Sequence, residues 1–261
     1  MLLRDKTVIV SGVGAGLGHR VAAACVRDGA RVVLGARTGR NLADTAARID
    51  ASGGRTAWRA TDIGDEAQCA ALAEVAVERF GGIDAVIHVA ALDDQFGGVR
   101  DADFDAWRRV VDVNLFGTLR MTRACLPAMT AGGGGSVVLI GTQSSVAAPS
   151  QVQQAAYAAS KGGLVSAMYS LAREVGPDRI RVNTVQPGWM WGPQVAAFVR
   201  RTAAAEGVPG SAVLGHLAGR MALPELASDA DVAEAAVFLA SDRARAITGQ
   251  SLLVNAGELM R

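Results

Sequence analysis

Short runs of continuous apolar residues recur along this chain, each followed by a longer amphipathic stretch. That alternation constrains the fold more than any other feature. Residues 7–10, 31–34, 56–60, 84–89, 136–140, 180–185 and 251–254 read as strands. Residues 17–27, 41–50, 66–80, 104–129, 155–175 and 230–240 read as helices between them. Strands without polar alternation are buried on both faces, which requires helices above and below a parallel sheet. Right-handed crossovers then give a doubly wound α/β architecture with seven parallel strands. No linker, repeat or shift in composition divides residues 1–261, so a single domain is expected. Residues 189–226 stand apart. They carry Pro193, Pro209 and Pro224, are too long for a simple crossover loop, and read as a substrate lid.

Composition removes several function classes. A net charge of +1 over 261 residues gives no general electrostatic grip on nucleic acid or an anionic membrane. No apolar run approaches the roughly 18 residues of a membrane span, and residues 1–6 are too short and polar for a signal peptide. Cys25, Cys69 and Cys125, with His19, His88 and His216, form no metal-ligand spacing and no disulfide framework. An odd thiol count suits a reducing cytoplasm. Only two of the 26 cationic side chains are lysines, Lys6 and Lys161.

The first strand runs directly into Ser11-Gly12-Val13-Gly14-Ala15-Gly16-Leu17-Gly18, which opens a helix. Glycine lets the backbone turn sharply and approach a pyrophosphate, whose charge the helix N-terminus meets. The expected domain is therefore of Rossmann type, with Gly12, Gly14, Gly16, Leu17 and Gly18 around a dinucleotide. Preference for NAD(H) usually requires a carboxylate at the end of the second strand. This chain has Leu34-Gly35-Ala36-Arg37 there, with Arg40 close behind. A guanidinium suits a 2′-phosphate, so NADP(H) is expected in preference and NAD(H) is the remaining option. Asp62, followed by Ile63, could accept from the adenine amino group or cap the helix beginning near Asp65.

Tyr157 and Lys161 open a later helix four residues apart, which places phenol and ammonium on one face, one turn apart. A nearby cation stabilises phenolate and lowers the phenol's pKa, which lets tyrosine trade a proton with an alcohol or ketone.

Ser11-Gly12-x3-Gly16-x-Gly18, Asn114 within Val113-Asn114-Leu115, Tyr157-x3-Lys161 and Pro187-Gly188 together resemble the short-chain dehydrogenases/reductases in order and spacing. Ile247-Thr248-Gly249-Gln250 resembles that family's terminal segment. The resemblance covers essentially the whole chain. It implies a ketone/secondary-alcohol oxidoreductase with Tyr157 as acid/base, and with Lys161 lowering its pKa and binding the nicotinamide ribose hydroxyls. It further implies Asn114 anchoring a water that leads to the lysine and a serine holding the substrate oxygen. Ser144 lies 13 residues before Tyr157 and is taken as that serine; Ser145 and Thr142 remain the other hydroxyls in range. Ala90, Pro187, Gly188 and Met190 complete the expected cofactor contacts.

The chain also departs from the family pattern. His88-Val89-Ala90-Ala91 stands where the family usually has Asn-Asn-Ala-Gly, Gly192 where it often has threonine, and Asn255-Ala256-Gly257 in the terminal Asp-Gly-Gly-like segment. His88 is expected to be a structural substitute. A related lyase such as a halohydrin dehalogenase is disfavoured, because those relatives put arginine at the Lys161 position and replace the dinucleotide glycines. Enoyl reducers of the family space tyrosine and lysine more widely. A non-catalytic dinucleotide-binding protein would not need the Asn114, Tyr157 and Lys161 set. Trp189, Met190, Trp191, Val195, Phe198, Val213 and Leu214 form either an apolar pocket wall or the packing of the lid. Gln95, Phe96 and Gln153 are expected at the same cleft, which favours an apolar or aromatic substrate over a sugar or an acid. Arg200 and Arg201 read as a solvated helix face, or as partners of an anionic tail. Family relatives commonly form homotetramers through helices equivalent to 104–129 and 155–175, with a homodimer as the alternative.

Overall fold

Val8 and Val10 face one apolar layer while Ile9, between them, faces the other, as a strand covered on both sides must arrange its side chains. The computed structural model describes residues 1–148 and 152–260. Its strands are β1 (Thr7–Ser11), β2 (Arg31–Ala36), β3 (Thr56–Ala60), β4 (Ala85–His88), β5 (Gly135–Ile140), β6 (Ile180–Pro187), β7 (Met190–Trp191), β8 (Ala227–Ser228) and β9 (Ser251–Val254). Seven of them form one sheet in the order β3-β2-β1-β4-β5-β6-β9, every neighbouring pair parallel. The order reverses between β1 and β4, and ligands of such sheets bind outside the carboxyl ends at that switch point.

The helices are α1 (Leu17–Arg27), α2 (Gly39–Ile49), α3 (Glu66–Phe80), α4 (Phe104–Val111), α5 (Thr118–Ala131), α6 (Ala155–Glu174), α7 (Pro193–Glu206), α8 (Gly210–Ala218) and α9 (Asp229–Ala240). Val21 of α1, Leu42 of α2 and Val232 and Val237 of α9 pack with Val8, Val10, Leu34, Ile87 and Val138 on one face. Leu72 of α3, Met121 and Cys125 of α5, and Leu164 and Met168 of α6 pack with Ile9, Val33, Val86 and Leu139 on the other. Each such side chain, taken fully out of water, contributes about 1.5–3 kcal/mol. Asp65 caps α3 by accepting from Ala67 N and Gln68 N, whereas Asp62 accepts from Gly64 N and does not cap the helix.

Two features correct the reading of the sequence. The helical zone expected over 104–129 is broken by a π-helical segment, Asp112–Gly117, between α4 and α5. Such insertions re-aim backbone carbonyls and concentrate at functional sites. Residues 189–226 are mostly helix, not loop. Pro193 sits in the first turn of α7 and Pro209 at the N-cap of α8, positions where proline suits a helix start. The excursion leaves and returns through the two-stranded pair β7–β8, with Met190 opposite Ala227. Val199, Val213, Leu217, Met221 and Leu226 form its own small core. Trp189, Val195, Phe198 and Leu214 pack against that core, which assigns most of their apolar surface to the excursion itself.

Candidate active site

The backbone at the end of β1 explains two of the four glycines. Gly12 has φ +100°, and a Cβ there would lie 2.1 Å from Ala90 N. A Cβ on Gly18 would lie 2.2 Å from Gly12 O. These two are therefore required by the packing of β1, the β4 exit and α1 on one another. Gly14 and Gly16 differ: an added Cβ meets nothing within 4 Å at Gly14 and only Pro193 Cδ, at 4.0 Å, at Gly16. Gly16 is the N-cap of α1, and no side chain caps the helix or places an acid in its first turn. Free amides and open space together make the cradle that a pyrophosphate requires, so the residues present fit a dinucleotide.

Around this cradle the other expected cofactor residues take distinct positions. Arg37 and Arg40 are exposed beyond β2, with no ion pair among the described residues. Asp62 is exposed, whereas the Ile63 side chain is buried against Gly117, leaving only its backbone for a ligand. Leu17 and Met190 lean on the core layer of α1 and α9. Pro187 ends β6, and a Cβ on Gly188 would lie 2.6 Å from Gln143 Oε1.

α6 brings Tyr157 and Lys161 to the carboxyl end of β5. Lys161 is among the largest fully buried side chains, and its Nζ donates to Ile140 O at 2.7 Å. The Nζ lies 5.8 Å from the Tyr157 ring centroid. The Tyr157 hydroxyl makes no hydrogen bond among the described residues. Burial disfavours the charged form of each group. The Lys161 ammonium is pushed down to about 8, and the Tyr157 phenol is pushed up, first by burial and then by the Asp93 carboxylate. One ammonium proton of Lys161 goes to the Ile140 carbonyl, and burial of the phenol acts against the lowering expected from the lysine.

Asn114 is fully buried at the middle of the π-helical segment. Its amide pairs with both backbone groups of Leu92, at 2.7 and 2.9 Å, and donates to Ser160 Oγ at 3.0 Å. Ser160 Oγ in turn donates to Tyr157 O at 2.7 Å. Asn114 thus ties the loop after β4 to the turn that carries Tyr157, and Asn114 O accepts from Thr118 Oγ1 at 2.9 Å. Among the three candidate hydroxyls, Ser145 Oγ donates to Thr142 O at 2.8 Å and Thr142 Oγ1 accepts from Ser144 N at 3.2 Å. The Ser144 hydroxyl is engaged by no other described residue.

His88 is buried on β4 with Nε2 2.9 Å from Thr122 Oγ1. Thr122 gives its only hydroxyl proton to Thr118 O, so Nε2 is the donor and Nδ1 an unprotonated acceptor without a partner among the described residues. Burial, then the Lys161 charge, lowers its pKa to about 3 and keeps the ring neutral. His88 is therefore bound into the sheet–α5 contact.

One network had no forewarning in the sequence. Buried Gln143, next to Ser144, accepts from Asn255 Nδ2 at 2.9 Å and donates to the Glu258 carboxylate. Glu258, almost wholly buried, also pairs with Arg220 at the base of the excursion. The segment after β9 therefore clasps both the Ser144 loop and the α7–α8 unit.

Comparison with known proteins agrees with this architecture. A family model described as enoyl-(acyl carrier protein) reductase, of the short-chain dehydrogenase/reductase family, matches residues 12–258. The cis-4-hydroxycyclohexanecarboxylate dehydrogenase of Sinomonas cyclohexanicum is 33% identical over 256 residues, 97% of this chain and 96% of that one. The L-rhamnose 1-dehydrogenase (NAD(P)(+)) of Azotobacter vinelandii is 34% identical over 262 residues, 98% of each chain. Among solved structures, L-sorbose reductase from Gluconobacter frateurii, complexed with NADPH and L-sorbose, superposes with TM-score 0.92 at 25% identity over 100% of both chains. With the glycine cradle, Asn114 and the Tyr157–Lys161 turn in place, the chain belongs to the short-chain dehydrogenase/reductase family of oxidoreductases.

Proposed function

We propose that the protein interconverts a ketone and a secondary alcohol with a nicotinamide dinucleotide, and that Tyr157 is the general acid/base. The observation that carries this is the Tyr157–Lys161 turn at the carboxyl end of β5, with Lys161 buried and Tyr157 half-buried, in the same sheet whose β1 ends in the open glycine cradle. A bound nicotinamide would supply the hydride to the carbonyl carbon in reduction, or take it from the carbinol carbon in oxidation. In reduction, Tyr157 Oη delivers its proton to the carbonyl oxygen, while the free Ser144 hydroxyl donates to the same oxygen and fixes its direction. Lys161 keeps two N–H bonds without acceptors among the described residues, which suits a ribose diol, and its charge stabilises the phenolate left behind. Asn114 and Ser160 are positioning residues that set the Tyr157 turn against the Leu92 loop. The relatives' names span a ring alcohol and a sugar, and what they share is the carbinol centre. A screen of ketones with reduced dinucleotide, followed by its absorbance, tests the reading; no consumption with any ketone overturns it.

The cofactor reading is NADP(H), supported by exposed Arg37 and Arg40 and by the lack of a carboxylate at the end of β2. Removing a charge-assisted contact at an exposed site costs on the order of 1–1.5 kcal/mol. Arg37→Ala should therefore weaken NADPH binding about tenfold and leave NADH binding unchanged. Tighter binding of NADH than NADPH by the unaltered protein would reject the preference.

The cradle supplies a second contrast. Gly12→Ala forces a Cβ into the Ala90 backbone at positive φ and should cost several kcal/mol, so that much of the protein fails to fold. Gly14→Ala projects a methyl into open space. Its Tm should stay within a few degrees while dinucleotide affinity falls at least tenfold. Unchanged affinity would remove Gly14 from the cradle.

The assembly is read as a homotetramer, with a homodimer as the alternative. Phe104, Phe116 and Tyr169 are all about half exposed on α4, the π-helical segment and α6, an apolar surface of the kind that partners cover. Light scattering reporting a monomer at micromolar concentration would overturn this. The cysteines Cys25, Cys69 and Cys125 are buried free thiols, compatible with a reducing cytoplasm. No helix among the described residues is long and apolar enough to cross a membrane. We read α7–α8 with its neck as the substrate lid of one catalytic domain.

A further inference from the structure

A cleft of about 530 Å³ opens between the loop after β4, the approach to α6, and α7. Its walls are Phe96, Val152 and Gln153 on one side and Phe198, Arg201 and Ala205 on the other. Both sides are anchored to the segments that carry the reacting groups. Gly97 N donates to Gln153 O at 2.8 Å and Gly97 O accepts from Ala155 N at 3.2 Å, two residues before Tyr157. Phe198 packs on Trp189, which follows Gly188, with ring centroids 5.0 Å apart and planes tilted by 47°.

Arg201 is the one charged residue of this lining among the described residues, and it makes no ion pair or hydrogen bond with any of them. Arg200, the next residue of α7, is outside the cleft, as a helix that turns about 100° per residue requires. Arg201 is exposed and unpaired, Gln153 and Thr202 are the uncharged polar members of the lining and the rest is apolar, so its guanidinium is available to an anion whose body lies on the apolar wall. The opposite end of the path carries the opposite sign. The loop that supplies Phe96 begins at Leu92, held by Asn114, and passes Asp93. The Asp93 carboxylate lies close enough to favour the protonated forms of both Tyr157 and Lys161.

Resting on the oxidoreductase reading above, we infer that the substrate is an apolar ketone or secondary alcohol bearing a carboxylate remote from the reacting carbon, bound by Arg201. A single guanidinium, with no second cation in the lining, matches a monoanion in two parallel N–H···O bonds. Phe96 and Phe198 cover the hydrocarbon body. Asp93 follows Leu92, held by Asn114, and its backbone carbonyl accepts from Gln154 Nε2 at 3.0 Å beside the start of α6, so its carboxylate repels a carboxylate next to the carbonyl and a remote oxo acid is preferred to a 2-oxo acid. This inference keeps an apolar body for the substrate and replaces the preference against acids with one for a remote carboxylate.

The test compares 4-oxocyclohexanecarboxylate, its methyl ester and cyclohexylglyoxylate as substrates, with reduced dinucleotide. The remote oxo acid should exceed the ester in kcat/KM by tenfold or more, and exceed the 2-oxo acid by more than that. Arg201→Gln should bring the acid-to-ester ratio near one, Arg201→Lys should keep part of it, and Arg200→Gln should keep it all. Titrating the oxo acid into wild type and Arg201→Gln by calorimetry should show the same loss in binding. Reduction of the ester with no preference for the acid, or a preference untouched by Arg201→Gln, overturns the inference and leaves the oxidoreductase reading standing. No turnover of any of the three, with dinucleotide bound, overturns the inference, and the oxidoreductase reading falls only if the wider ketone screen also shows no consumption.

Discussion

Tyr157→Phe should lower ketone reduction by a factor on the order of 10²–10⁴, the usual worth of a positioned proton donor, and leave the dinucleotide dissociation constant within about twofold. The ring and its packing survive the change, and only the atom that moves the proton is lost. The pH dependence supplies an independent readout. Because burial and the Asp93 carboxylate hold the phenol above its ordinary value, Tyr157 keeps its proton through neutral pH in this structure. Reduction consumes that proton and should stay level across neutral pH, falling only in the alkaline range. Oxidation of the alcohol needs the phenolate and should rise with pH over the same range. Both arms should vanish in the residual activity of Tyr157→Phe. Turnover retained within threefold, or an unchanged pH profile, would remove Tyr157 from the proton step. Steady-state rates in both directions across pH, with a binding titration at each end, decide the matter.

Strand positions and the parallel, doubly wound sheet were legible because strands buried on both faces leave continuous apolar runs. The glycine turn was legible as a cradle, but its division of labour was not. Only the tertiary contact of Gly12 with Ala90 separates the glycines that packing requires from those that leave room. The π-helical segment left no trace, since one extra residue per turn changes neither composition nor periodicity enough to be read. Prolines misled over 189–226, because Pro193 and Pro209 start helices and a linear reading takes them for breakers. Tyr157 and Lys161 announced themselves by spacing, whereas their burial, which opposes the charged form of each, is a tertiary property that spacing does not carry. The Gln143–Glu258 contact joins residues 115 apart, and no local pattern marks it. Asn255 could have signalled it, as a departure from the family's terminal segment that needs a buried partner.

Lys161→Met should abolish turnover and, in the absence of dinucleotide, make the protein more stable. The ammonium is fully buried, and the fold lowers its pKa from 10.5 to about 8, chiefly by desolvation, with Asp93 offsetting part of the effect. A folded-state pKa below the unfolded value means that folding is opposed whenever the group is charged. A lowering of that size corresponds to a penalty on the order of 3 kcal/mol at neutral pH. Methionine fills a similar volume and carries no charge. It also removes the Nζ–Ile140 O hydrogen bond and leaves that carbonyl without its donor, a loss of about 1–2 kcal/mol. The balance is a gain on the order of 1 kcal/mol, or about 2–4 °C in Tm for a domain of this size. The sign of the pH dependence separates this from generic repacking. In the unaltered protein the penalty is complete below about pH 8 and fades as pH rises toward 10.5, so this group makes stability climb with pH across that window. Lys161→Met should lack that climb, and its advantage should shrink from pH 7 to pH 10. Thermal unfolding of both proteins at the two pH values measures it, and a variant less stable at pH 7 would show that Lys161 supports the fold. Lys161→Arg keeps the charge in a space shaped for an extended chain ending in a compact ammonium. It should lose both stability and activity, because a planar guanidinium is larger and cannot shed its charge. The lysine is then retained against the stability of the apoprotein, and its position one turn from Tyr157 supplies the reason.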